Sequence, residues 1–171
     1  MELLRQIGIE PDLIFAPDID ETPAPAEAPR AYALRMALGK LNGGEGFVIA
    51  ADTVVAAGRR ILPKAETDKQ ARTCLELLSG RRHKVYTAVA IRGPDGRVAS
   101  RVVASAVGFA RLDEAQIRDY LISGEWHGKA GGYAIQGRAA AFIDFISGSY
   151  SGVVGLPLHE TSSLLRGLGH K

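Results

Sequence analysis

The sequence predicts an α/β domain built on a mixed, partly antiparallel sheet flanked by helices. Three observations carry this. Apolar runs with strand character alternate with segments of helical spacing along the chain. Two strand candidates, Val85 to Ile91 and Arg97 to Leu112, are separated by the tight turn Gly93-Pro94-Asp95-Gly96, so they pair as an antiparallel hairpin. No Gly-x-Gly-x-x-Gly opens a helix after a strand, which argues against a doubly wound dinucleotide-binding sheet. A chain of 171 residues with 46% hydrophobic content is read as one domain spanning 1–171, with enough apolar matter to bury a core.

Each element has its own signal. Glu2 to Ile7 reads as a short helix and Asp12 to Phe15 as a strand. The stretch from Ala16 to Pro29, rich in proline, alanine and acids, is a surface loop. Arg30 to Leu41 is a helix with Ala31, Leu34, Leu38 and Leu41 on one face, ended by Asn42-Gly43-Gly44. Phe47 to Val55 is apolar on both faces, as in a strand covered from both sides, and Asp52 falls where this run is expected to end. Thr67 and Gln70 form a capping-box pair ahead of a helix whose stripe is Ala71, Cys74, Leu75 and Leu78. Asp113 and Gln116 cap another helix, buried through Ile117, Tyr120 and Leu121. Phe142 to Ile146 is a strand, and Gly155-Leu156-Pro157 opens the last helix.

Bulk properties exclude several functions. A net charge of +2 is too small to argue for a nucleic acid polymer or an anionic membrane as partner. Cys74 is the only cysteine, which fits a reducing cytoplasm, and it reads as a small core residue. No apolar run reaches spanning length, and Met1-Glu2-Leu3-Leu4-Arg5 lacks the pattern of a signal peptide. The P-loop pattern is missing. The basic group Arg81-Arg82-His83-Lys84 reads as a solvated turn, and His83 has no partner at metal-ligand spacing.

A smaller set of residues has the makings of chemistry. Asp52 is a carboxylate in an apolar run, where an acid is costly unless it caps a turn, pairs with a cation or does chemistry. Asp18-Ile19-Asp20-Glu21 is either a solvated loop or the source of a second carboxylate for a divalent cation. Lys40 and Lys64 are surface charges or phosphate-binding ammoniums, with Lys64 stiffened by the preceding Pro63. Gln136 is either a satisfied loop amide or a reader of a nucleobase edge. One acid, two lysines, an amide and two glycine-rich loops suit a small phosphorylated ligand with a divalent metal.

In order along the chain, these motifs resemble the Maf family of nucleoside triphosphate pyrophosphatases. The likeness runs through the Asp20-Glu21 loop, the Leu34 to Lys40 helix, Ala51-Asp52-Thr53-Val54-Val55 and Ile61-Leu62-Pro63-Lys64. It continues through Leu77-Leu78-Ser79-Gly80, Val85-Tyr86-Thr87-Ala88-Val89, Lys129 to Gly137, Gly148-Ser149-Tyr150 and Val154 to Leu158. The resemblance implies a Maf/ITPase-like fold and hydrolysis of a nucleoside triphosphate substrate to monophosphate and pyrophosphate, with magnesium or manganese. It makes Asp52 the proton acceptor, Asp52 and Glu21 the metal ligands, and Lys40 and Lys64 the lysines facing phosphate. It makes Thr53 and Gln136 the substrate-sorting pair, in the form of the branch acting on dTTP and UTP. A homodimer is also implied. Alternative readings are a catalytically impaired nucleotide-binding or cell-division regulatory protein, and a 7-methyl-GTP pyrophosphatase. Two departures lie inside the chain: Pro63-Lys64-Ala65 replaces the family's Gly-Lys-Pro, and Gly39 and Leu41 flank Lys40 where glutamate and alanine are usual. The family also carries a strand and a serine-rich loop ending in Ser-Pro-Arg-Arg ahead of residues matching Glu2-Leu3-Leu4, where this sequence opens. Those arginines would meet phosphate and contribute to substrate choice.

Overall fold

The structure is a computed structural model and describes residues 2–170. Five strands form one sheet: β1 (Val48–Ala57), β2 (Arg60–Ile61), β3 (Arg82–Arg92), β4 (Val98–Phe109) and β5 (Ile143–Ser147). Their order is β2-β1-β3-β4-β5, and every neighbouring pair is antiparallel. The hairpin expected from the Gly93–Gly96 turn is β3–β4, and its antiparallel character extends across the whole sheet. Six helices flank it: α1 (Glu2–Gln6), α2 (Pro29–Gly39), α3 (Asp68–Leu78), α4 (Glu114–Ser123), α5 (Tyr150–Val154) and α6 (Leu158–Gly167). No helix among the described residues is long and apolar enough to cross a membrane.

The two sheet faces bury different partners. Even-numbered residues of β1 face α2, so Val48, Ala50 and Val54 pack with Tyr32, Ala33, Met36, Ala37 and Leu41. The odd-numbered Val55, with Val85, Val107 and Phe109, meets the α3 stripe Ala71, Cys74, Leu75 and Leu78. Val89 and Ile91 meet Leu164 and Leu165 of α6. Both faces of β1 are therefore covered, as its uninterrupted apolar run requires. Both capping boxes form: Thr67 with Gln70, and Asp113 with Gln116. Cys74 is buried in the core, and burial raises its thiol pKa.

Four expectations are corrected. Asp12 to Phe15 forms no strand, because no neighbouring strand takes up its backbone. Leu13, Ile14 and Phe15 remain exposed along a groove of about 540 Å³ bordered by Phe47 to Ala51. The buried face of α2 is rotated: Ala31 and Leu38 are exposed, while Tyr32, Ala33, Met36 and Ala37 pack inward. Two alanines let the helix lie close to the sheet, which outweighs the leucines that dominate a hydropathy count. β1 runs on through Ala57, so Asp52 sits mid-strand rather than at a strand end. His83 is no part of a solvated turn: Arg81, Arg82 and Lys84 are exposed, but strand alternation turns His83 into the core.

Candidate active site

The edge of β1 turned away from β3 is paired to β2 only through Ala56 and Ala57. Beyond that pairing, the Leu62 N–H donates to the Val55 carbonyl, and the chain then turns to meet a second segment. Lys64 bridges to Ala130 in antiparallel fashion. The contact is reinforced by Gly131 N–H to Pro63 O (3.0 Å), Gly128 N–H to Ala65 O (2.8 Å) and Ala65 N–H to Lys129 O (3.1 Å). A proline in place of Ala65 could not make the last of these. Gly131 lies at φ +69, and an added Cβ would come within 2.8 Å of Val55 Cγ1, so the loop can approach the strand only as glycine.

These segments enclose a cleft of about 270 Å³. Lys40, Asp52, Thr53, Lys64 and Gln136 all line it. Glu21 joins them through its carboxylate. Lys40 Nζ stands 2.6 Å from Asp52 Oδ1 and 2.7 Å from Glu21 Oε1, and Lys64 Nζ stands 2.6 Å from Glu21 Oε2. The result is a chain of alternating charge, Asp52–Lys40–Glu21–Lys64. Each of the six residues singled out from sequence is thus brought to one place.

Local structure explains how a loop acid is held there. The Tyr32 hydroxyl of α2 donates to the Glu21 carbonyl at 2.6 Å. Arg35, one turn on, grips Glu27 through two bonds of 2.8 and 2.7 Å and donates to Thr22 O at 3.0 Å. Asp20 does not reach the site, since its carboxylate accepts the Thr22 N–H at 2.8 Å. Of the acidic group read from the sequence, only Glu21 belongs to the cleft. Lys40 follows α2 directly, so the helix end delivers its ammonium over Asp52.

The electrostatics follow from burial. Asp52 is 7% exposed, and burial pushes its pKa above the usual aspartate value despite the neighbouring Lys40 ammonium. For Lys40, burial pulls downward, but hydrogen bonds from the ammonium to Asp52 and Glu21 outweigh it and leave the pKa raised. Glu21 is held low by the Lys40 and then the Lys64 hydrogen bonds. Asp52 is therefore a carboxylate of raised basicity beside a persistent cation.

No cluster of three or more His, Cys, Asp or Glu side chains occurs among the described residues. Magnesium takes one or two protein carboxylates and completes its shell with water and phosphate oxygens. Asp52 and Glu21 supply that number, and both already converge on one ammonium.

Residues 1–168 match the family model described as Maf-like protein. The chain belongs to the Maf family. It is 55% identical over 176 residues to the dTTP/UTP pyrophosphatase of Caulobacter vibrioides, covering 100% of this chain and 91% of that protein. It is 56% identical over 176 residues to the protein of the same name from Rhodospirillum rubrum, covering 100% and 84%. The Maricaulis maris protein, again a dTTP/UTP pyrophosphatase, is 54% identical over 173 residues, covering 99% and 83%.

The structure of this Maf protein adds cleft residues that the sequence did not single out. Lys129 lines the cleft beside Lys64. It opens a glycine-rich loop visible in the sequence, but nothing local distinguishes its amine from any surface charge. Tyr133 also lines the cleft, and its hydroxyl lies 2.8 Å from buried His83 Nε2. Thr87 lies behind Thr53, across the β1–β3 register. Only contacts between segments distant in sequence place Tyr133, in a loop, with His83 of β3, or Thr87 with Thr53 across the β1–β3 pair.

Proposed function

We propose that this protein hydrolyses dTTP and UTP to the nucleoside monophosphate and pyrophosphate. The observation that carries the reading is the alternating chain Asp52–Lys40–Glu21–Lys64 in a cleft that also holds Thr53 and Gln136. A polyphosphate and its divalent cation are complementary to that chain: phosphate oxygens suit the lysines, and the cation suits the carboxylates. The names of relatives at 54–56% identity support the same substrates.

Roles follow from position. Lys40 and Lys64 bind phosphate oxygens and stabilise the charge that builds on them during transfer. Asp52, with its raised pKa, accepts the proton of the water that attacks the α-phosphorus. Pyrophosphate leaves with the electron pair of the broken anhydride bond. Asp52 and Glu21 would hold magnesium or manganese, which when bound neutralises phosphate charge and polarises the attacking water. Thr53 and Gln136 line the part of the cleft that would hold the base. There a neutral amide can pair with the mixed donor–acceptor edge of thymine or uracil.

Asp52→Asn tests the reading. The amide keeps the shape but cannot accept the proton, so pyrophosphate release from dTTP falls by at least about 10²-fold while the melting temperature is largely kept. Undiminished release from the variant would refute the assignment of Asp52.

A further inference from the structure

We infer that buried Thr87 sets the direction of the Thr53 hydroxyl, so that Thr53 offers the cleft only acceptor lone pairs and selects a base bearing an imide N–H. This rests on the functional reading above and deepens it.

Two hydroxyl protons and one carbonyl fix the direction of the Thr53–Thr87 bond. Thr87 sits directly opposite Thr53 in the β1–β3 register and is 1% exposed. Its Oγ1 lies 2.6 Å from the Gly152 carbonyl oxygen and 3.1 Å from Thr53 Oγ1. A carbonyl only accepts, so the single Thr87 proton goes to Gly152. Thr87 must then accept from Thr53, and the Thr53 proton points inward. Two lone pairs of Thr53 Oγ1 remain, on a half-buried residue that lines the cleft.

The anchor of this relay is rigid. The peptide that carries the Gly152 carbonyl also carries the Val153 N–H, which donates to Ser149 O at 3.0 Å, and Ser149 N–H donates to Ser105 Oγ at 3.0 Å. The Gly152 carbonyl therefore cannot swing to release the Thr87 proton. Thr87 is β-branched and packed, so its χ1 is also confined. Thr87 acts as a positioning residue, and Thr53 makes the contact.

Polarity then sorts bases. Uracil and thymine carry N3–H, a donor that meets the Thr53 lone pairs. Cytosine carries an unprotonated N3 at that position and sets lone pair against lone pair. A polar group left unmatched on binding is penalised more than a matched one is rewarded.

The test compares wild type, Thr87→Val and Thr87→Ser on UTP and CTP. The kcat/KM ratio of UTP over CTP is expected to shrink on the order of tenfold in Thr87→Val, where the freed Thr53 hydroxyl can turn and donate. Thr87→Ser restores the ratio. Looser packing alone would lower both substrates together, and an unchanged ratio in Thr87→Val overturns the proposal. Affinities of the same proteins for UMP and CMP, which do not turn over, give the same comparison without hydrolysis. If wild type released no pyrophosphate from dTTP or UTP, the functional reading would fail, while the UMP/CMP ratio would still decide this one. Should Thr87→Val not fold, neutron diffraction from wild-type crystals grown in deuterated solvent decides. A deuteron on Thr53 Oγ1 directed at Thr87 supports the relay, and one on Thr87 directed at Thr53 overturns it.

Discussion

Acid should destabilise this protein through His83, and the size of the effect can be worked out. The imidazole is 3% exposed, packed edge-on against Phe109 and Tyr133, with Nε2 bonded to Tyr133 and Nδ1 without a hydrogen-bond partner among the described residues. Burial lowers its pKa from 6.5 to about 4. The unfolded chain therefore binds the proton first as pH falls. The stability His83 contributes is fully present above the unfolded value, and it drains away between about 6.5 and about 4. At about 1.4 kcal/mol per pH unit, the full window is worth about 3 kcal/mol, of which about 2 is lost by about pH 4.5. Urea unfolding followed by the fluorescence of Trp126, the only tryptophan, measures it. His83→Gln retains a hydrogen-bonding group toward Tyr133 but does not titrate. Between near-neutral pH and about pH 4.5, wild type should lose about 2 kcal/mol more than this variant. Equal losses in the two proteins, or an NMR titration of His83 near its ordinary value, would refute the reasoning.

Two further outcomes follow from the site. Lys40→Met leaves Asp52 buried without its cation, which costs about 3 kcal/mol near neutral pH. The penalty shrinks as Asp52 takes up a proton, so urea midpoints of variant and wild type should draw together as the pH is lowered, and a pH-independent gap would count against the pairing. Gly131→Ala forces an L side chain to φ +69 and drives its Cβ to 2.8 Å from Val55 Cγ1. The left-handed conformation alone costs about 1–2 kcal/mol. The variant should therefore unfold at lower urea and show a raised KM, because the same loop carries Lys129 and Gln136. A wild-type urea midpoint would show that the loop does not need glycine.

What could be read from the sequence was whatever has a local cause. Both capping boxes, the α3 stripe and the β3–β4 hairpin depend on residues a few positions apart, and all form as read. The α2 face was misread because local hydropathy favours leucine, whereas the packed helix chooses small residues that bring it near the sheet. Asp12 to Phe15 failed as a strand because a strand needs a neighbour, and no local pattern reports one. The same asymmetry runs through the site. The six residues singled out lie in distinctive motifs, but what connects them does not: Tyr32 holding Glu21, Arg35 holding Glu27, Thr87 behind Thr53. These are contacts between segments far apart in sequence, made by residue types common in any core or loop.

The position of Asp52 beside Thr53 shows why the site needs a strand at this place. Successive side chains of a strand point to opposite faces of the sheet. Asp52 accordingly turns toward α2 and meets Lys40, while Thr53 turns to the other face and meets Thr87 near α5. In the middle of a fully paired sheet the two would be kept apart by backbone. Here both line one cleft, because the 62–65 segment and the 128–136 loop wrap the edge of β1 turned away from β3. Charge collects on one side of that edge, in Lys40, Asp52 and Glu21. The neutral hydroxyl of Thr53, the aromatic Tyr133 and the apolar Ile135 and Val153 collect on the other. A nucleotide is polar in the same sense, with its phosphates at one end and its base at the other. One bound across this edge would place phosphate and base on the two faces that the alternation of β1 already separates. A register slip of a single residue would exchange those faces and bury the wrong side chain against α2. The β1–β3 register, in which Thr53 faces Thr87 and Asp52 faces Ala88, is thus as much a part of the site as the charged groups themselves.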